Sequence, residues 1–277
     1  MTALSEDLQR LIVGSFVTAV MITLFIFTSH PEAALTLNLI ASLLAVGALY
    51  ETYSFTEATG AKPMKQIGAL FSFLFFLSLF LTDRVALSLF LLFLFFFCCF
   101  VYQLIKGTKP IQDLSTTFFG FCYIVLPASA FFFLENEESG WAWVAFTLTV
   151  TKLSDVFAYY GGRLFGKHPL APEVSPRKTI EGALSGLLFA LIGALFIPHL
   201  INSWMAPFAP SLGMRIFLGL SIGVLAPIGD LSESLLKRDA SLKDSNSLPG
   251  LGGLMDLIDS LVFTLPLVYF TVKGASL

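Results

Sequence analysis

Apolar residues run along this chain in long blocks separated by short polar punctuation. The blocks fall at roughly 11–28, 33–50, 67–81, 85–105, 114–134, 141–160, 180–201, 216–236 and 255–272. A bilayer core takes about 20 apolar residues per helix. The pattern therefore predicts an all-α, polytopic membrane protein with about nine transmembrane helices, the third of them short. The fourth block contains "LFLLFLFFFCCF", which has no polar face and is expected to touch lipid. Small residues four apart, Gly182 with Gly186 and Gly219 with Gly223, would let helices approach closely. The longest loops, at 162–179 and 237–254, have about 18 residues each, and loops of that length are often functional. No linker marks off a separate soluble domain. The expected organisation is a lipid-facing scaffold over 1–140 and helices that carry the chemistry over 141–277.

Composition changes this picture in one respect: it excludes a soluble protein. The chain is 56% hydrophobic and only 13% charged, with mean hydropathy +0.83, whereas soluble domains are nearer a quarter charged. The net charge of -3 says little about partners, but the placement of charge says more. With the N-terminus inside, twelve of the 16 basic residues fall in inner segments: Arg10, Lys62, Lys65, Lys106, Lys109, Arg163, Lys167, Arg177, Lys178, Lys237, Arg238 and Lys243. Only Arg84, Arg215 and Lys273 fall outside, which predicts N-in and C-out. Cys98, Cys99 and Cys122 sit in apolar runs without metal-ligand spacing and read as packing or lipid-facing thiols. The first block lacks a small-residue cleavage site after it and reads as a retained span.

Ionisable residues inside spans are costly and point to function. Lys152 and Asp155 lie in the sixth block, Asp230 and Glu233 in the eighth, Asp256 and Asp259 in the ninth, and Glu51 ends the second. With N-in topology the acids of the last three such helices share a depth near the inner surface. Asp256 and Asp259 are three apart and share a helix face; so do Asp230 and Ser234, four apart. Clustered carboxylates at low dielectric need a counter-charge. Oxygen ligands of this kind suit Mg²⁺. Arg177, Lys178, Lys237, Arg238 and Lys243 lie beside them, as a site for a multiply anionic phosphate substrate would require. The "PGLGG" turn, with Gly252 and Gly253, brings backbone N–H groups to a helix start, where anions are favoured. Simpler roles compete. Asp256 and Asp259 are also what a helix N-terminus attracts. Arg177 and Lys178 would serve equally as topology anchors. Glu233 is expected to face water at the helix end, and Lys152 to pair with Asp155. "GRLFGKH" lacks the spacing of a phosphate loop, and His30 and His199 fall at outer ends.

"SPRKTIEGALSG", followed by "GDLSESLLKRDASLKDSNSLPGLGGLMDLIDS", resembles the signature of the integral-membrane phosphatidate cytidylyltransferases, or CDP-diglyceride synthases. "SDVFAYYGGRLFGKHPLAPEVSPRKT" is similar to the stretch that precedes it, so the likeness spans about 150–260. Leu251 stands where that family usually has His, and Leu257 where it has Arg. The resemblance implies conversion of CTP and phosphatidic acid to CDP-diacylglycerol and pyrophosphate, dependent on Mg²⁺, with a second cation left open. It implies metal acids at Asp230, Asp256 and Asp259 with Ser234 nearby. Asp155 is a second-tier contact for metal or substrate. Lys178, Arg177, Lys237, Arg238 and Lys243 are phosphate contacts, and Asp244 is either a ligand or a turn residue. Membrane lipids are partners, nucleic acid is not, and a homodimer is compatible. The expected location is a bacterial inner membrane with the site facing the cytosol. Two alternatives stand beside it. One is a related lipid-alcohol kinase or CDP-archaeol synthase. The other is a transporter whose acids bind a coupling cation.

Overall fold

The computed structural model describes residues 31–81, 85–107, 109–203, 207–242 and 253–275. Within them run helices α1 (Pro31–Ala58), α2 (Lys65–Leu81), α3 (Val85–Lys106), α4 (Pro110–Gly120), a π-helical turn (Phe121–Val125), α5 (Leu126–Glu135) and α6 (Gly140–Phe165). A hairpin of β1 (Pro169–Ala171) and β2 (Ser175–Thr179) follows, then α7 (Ile180–Asn202), α8 (Leu212–Asp239), the short α9 (Met255–Ile258) and α10 (Leu261–Ala275). Among the described residues, six segments are long and apolar enough to cross a membrane: Glu32–Ala58, Val85–Lys106, Pro110–Glu135, Ile180–Asn202, Leu212–Asp239 and Met255–Ala275. The chain is thus a helical, polytopic membrane protein.

The expected blocks compare with these elements as follows. The first, 11–28, lies outside the described residues. The third forms α2, an apolar helix too short to be counted among the six. The sixth forms α6, whose length suffices but whose composition, with Lys152, Asp155 and Arg163, keeps it from the six. The second does not stop at Glu51; α1 continues to Ala58 and leaves Glu51 buried within the helix. The ninth is not one helix, because Asp259 and Ser260 form a turn between α9 and α10. The inner loop expected over 162–179 is partly strand: β1 and β2 pair antiparallel, Pro169 opposite Thr179 and Ala171 opposite Ser175.

Two compact units are present. One comprises residues 1–120 and 240–257, the other 121–239 and 258–277. In the first unit α1 packs on α2 and α4, and α3 packs on α2 and α4. Tyr53, fully buried, donates its hydroxyl to the Thr117 carbonyl at 3.0 Å. Asp113 accepts the Lys62 N–H at 2.8 Å, and the Thr117 hydroxyl accepts the Met64 N–H at 3.0 Å, which ties the α1–α2 connection to α4.

In the second unit α7 lies between α6 and α8. The small-residue spacing explains this. A side chain at Gly186 would meet the Ser154 carbonyl of α6 at 2.9 Å, and one at Gly223 would meet the Leu187 backbone of α7 at 2.8 Å. Such contact of backbones is what glycine supplies where lipid gives no hydrophobic drive to helix association. α7 starts at Thr179, whose side chain accepts the Gly182 N–H at 3.2 Å and satisfies one of the otherwise unpaired first donors of the helix. α10 packs against α5, α6 and α8.

Candidate active site

Helix α8 carries Asp230, Glu233 and Lys237 at spacings of three and four, hence along one side. The break between α9 and α10 delivers Asp259 to the same place. Gly229 makes this approach possible: a Cβ there would collide with the Asp259 carbonyl. One carboxylate oxygen from each of Asp230, Glu233 and Asp259 lies within 4.8 Å of the other two. Glu233 is 2% exposed and Asp259 5% exposed, whereas the Asp230 side chain is 41% exposed. The group is therefore buried on two sides and open through Asp230.

Three negative charges this close repel strongly at low dielectric, and the fold supplies partial compensation. Lys178, at the end of β2, places its Nζ 2.7 Å from Asp230 Oδ2. Lys237, one turn along α8, places its Nζ 2.8 Å from Glu233 Oε1, with 9% and 2% of the two side chains exposed. Asp259 is held by Ser260, whose backbone N–H and hydroxyl both reach Asp259 Oδ1. The same hydroxyl lies 2.9 Å from Asp155 Oδ2 on α6. A single hydroxyl proton serves one acceptor at a time, so Ser260 links the two carboxylates without satisfying both. Lys152 closes the chain of charges, its Nζ 3.2 Å from Asp155 Oδ2. Below this layer the Thr151 and Thr264 hydroxyls meet at 3.2 Å. The acids of α6, α8 and the α9–α10 break thus form one continuous polar array.

The hairpin that presents Lys178 is anchored at both ends. At its base Glu181 accepts the backbone N–H groups of Lys167 and His168 at 3.0 and 3.2 Å and lies 2.6 Å from the His168 ring. At its tip the Val174 carbonyl accepts from Arg238 Nε at 3.2 Å. Arg177, next to Lys178, is exposed.

The sequence-derived candidates are distributed as follows. Asp230, Asp259, Lys178 and Asp155 come together in the array. Glu233, expected to face water, is instead buried among them; its place three residues after Asp230 was the available signal. Lys237 and Arg238, expected on substrate phosphate, are engaged with Glu233 and with the hairpin. Ser234 is half-buried on α8. Asp256 belongs to the first unit, where its Oδ2 accepts the Gly253 N–H at 2.6 Å and closes the turn into α9. Lys243, Asp244 and Gly252 lie outside the described residues. Sequence reasoning missed Ser260, adjacent to Asp259. It also missed Tyr123, which the π-helical turn brings within electrostatic range of Glu233 and Asp259.

The donor set fits a hard divalent cation: three carboxylates from two segments, all oxygen ligands, with remaining negative charge to neutralise. Asp230, Glu233 and Asp259 are the residues that could hold it.

Comparison with known proteins gives the array a context. Residues 8–274 match the model of the cytidylyltransferase family. A phosphatidate cytidylyltransferase of Chlamydia pneumoniae is 31% identical over 283 residues, covering 96% of this chain and 92% of that protein. The phosphatidate cytidylyltransferase of Bacillus subtilis (strain 168) is 34% identical over 169 residues, 60% of this chain and 61% of the relative. That of Staphylococcus aureus (strain COL) is 39% identical over 142 residues, 50% and 51% of the two chains.

Proposed function

The chain belongs to the cytidylyltransferase family, and from that premise we propose that it is a phosphatidate cytidylyltransferase. A phosphate oxygen of phosphatidic acid attacks the α-phosphorus of CTP. The bond from that phosphorus to the bridging oxygen breaks, and pyrophosphate leaves with the electron pair, giving CDP-diacylglycerol. The single observation that carries the reading is the array itself: three carboxylate oxygens within 4.8 Å of one another, flanked by Lys178.

In this reading Asp230, Glu233 and Asp259 hold Mg²⁺. When bound, that ion offsets negative charge on the reacting phosphates. The chain's own residues orient and neutralise. Lys178, anchored through the hairpin, faces the exposed edge of the array at Asp230 and contacts substrate phosphate together with the exposed Arg177. Lys237 keeps Glu233 from repelling its neighbours. Ser260 holds the Asp259 carboxylate in place and couples it to Asp155. Positioning of this kind accounts for most of phosphoryl-group chemistry, and no protein nucleophile is required. Asp256, Lys243, Asp244, Ser234 and Gly252 remain candidates on the strength of the signature alone.

The excess of Lys and Arg in alternate loops supports N-in, C-out topology with about nine spans, and hence a cytosolic site reached by soluble CTP. The bacterial relatives support placement in a cytoplasmic membrane, and the charges at Asp155, Asp230, Asp256 and Asp259 support the helices after residue 141 as those bearing the chemistry, with the helices before it as scaffold. The test is direct. Purified protein in detergent receives labelled CTP and phosphatidic acid, with Mg²⁺ or with chelator. Lipid-soluble cytidylate and released pyrophosphate, both lost on chelation, are expected. Phosphorylation of a lipid alcohol, or no nucleotide turnover, overturns the reading.

A further inference from the structure

Glu51 is an acid buried in a membrane-spanning helix of the N-terminal region, far in sequence from the array. It is 8% exposed, and its Oε2 accepts the backbone N–H of Met255 at 3.0 Å. Its other oxygen has no hydrogen-bond partner among the described residues. Met255, itself fully buried, is the first residue of α9. The first N–H groups of any helix have no partner within the helix, and the burial of Met255 keeps water from serving its own. Glu51 supplies that acceptor from α1.

A second contact on the same face of α1 holds the neighbouring residue. Gly47 precedes Glu51 by four, so the two lie one above the other. The side chain of Leu254 fills the space that Gly47 leaves, and a Cβ at 47 would meet Leu254 Cδ1. Gly47 and Glu51 thus form a notch and an acceptor for two consecutive residues, Leu254 and Met255. The turn is then closed from within by Asp256 and Gly253. Three residues further along the chain comes Asp259.

We propose that Glu51 is a positioning residue for nucleotidyl transfer, fixing the turn at 253–256 from which the chain enters Asp259. The proposal rests on the functional reading above, in that the acids after this turn act on the nucleotide. Burying a carboxyl is costly unless it is compensated, and an alanine would cover the same face of α1 at no such cost. What an alanine cannot do is accept the Met255 N–H. The role therefore needs an acceptor oxygen at position 51, which glutamine also provides.

The experiment compares wild type with Glu51→Ala, Glu51→Gln and Gly47→Leu. It reads hydrogen–deuterium exchange of peptides spanning 253–258 together with steady-state kinetics for CTP. In Glu51→Ala, exchange at the start of α9 should rise about tenfold or more, as a local opening becomes easy. kcat should fall by about tenfold to a hundredfold while KM for CTP stays within about twofold, the signature of misplaced reacting groups. Glu51→Gln should restore both to within about threefold of wild type. Gly47→Leu, which displaces Leu254 without touching Glu51, should reproduce the alanine phenotype and replaces it where the alanine variant does not fold. Unchanged exchange in both Glu51→Ala and Gly47→Leu overturns the proposal. So does a glutamine variant as slow as alanine with its amides still protected. Protected amides in a wild-type protein that transfers no nucleotide would overturn the functional reading, and with it the catalytic purpose of the contact, while leaving the contact itself demonstrated.

Discussion

Helices α3 and α8 both have the length and apolarity of a membrane span, and they bury opposite things. Along α3 the residues turned inward are Ser88, Phe95, Cys99 and Gln103, while Phe90, Phe93, Phe97 and Phe100 look out. Along α8 the inner side is Leu218, Gly219, Ile222, Gly223, Ala226 and Gly229, followed by Glu233 and Lys237. In water the phenylalanines would be the core. In lipid they have no reason to leave the surroundings, so the inside is marked by small residues that allow contact and by polar groups that lipid will not accept. Two of the inward residues of α3 are polar but neutral, and Ser78 meets Ser88 at 2.8 Å. Those of α8 are Glu233 and Lys237, gathered with Asp230 and Asp259. The difference separates a helix that holds the protein together from one that carries the acids proposed to act on the nucleotide.

Substitutions can break that contrast, starting with the largest effect. Asp259→Asn keeps the size of the side chain and removes its charge. It should lower kcat on the order of 10³-fold, the scale of losing a major electrostatic contact to the transition state, with the variant still eluting as a folded, monodisperse species in size-exclusion chromatography. Normal turnover would remove Asp259 from the site. Next comes the buried pair on α8. Glu233→Gln alone removes the carboxylate 2.8 Å from the Lys237 Nζ and should cost about 3–5 kcal/mol in stability as well as activity. Adding Lys237→Met removes the buried ammonium as well, so the double variant should regain thermal stability and remain inactive. Recovery of both would mean that the pair is purely structural. At the small end, Phe93→Leu on the outward face of α3, where the side chain is 63% exposed, should change activity by less than about twofold. A large loss there would erase the distinction between the two helices.

Much of this was legible in the residues. Apolar blocks marked the helices, glycine spacing marked α7 and α8 as helices able to approach others closely without saying which, and charges inside spans led to Asp155, Asp230 and Asp259. The misses share a cause. Treating 255–272 as one helix put Asp256 and Asp259 on a common face, whereas Asp259 and Ser260 form a turn that ends α9 before α10 begins. Periodicity within one segment does not reveal that the ladder is interrupted where another helix supplies the packing. Glu233 was misjudged for a related reason. Nearness to a helix end suggests water, but its exposure depends on what crosses there, and that is set by Gly229 and the distant residue Asp259. The tethering of the hairpin by Arg238 depends on a contact between residues 64 apart in sequence, which no local pattern carries.

Gly229 has a consequence for inheritance. Every missense change at a glycine codon adds a side chain, and at this position even a methyl group runs into the peptide that carries Asp259. The codon therefore has no conservative neighbours: every amino-acid change there displaces Asp259, the acid proposed to act on the nucleotide, without altering any acidic residue. Variants of this kind would be overlooked by a survey that looked only for lost carboxylates.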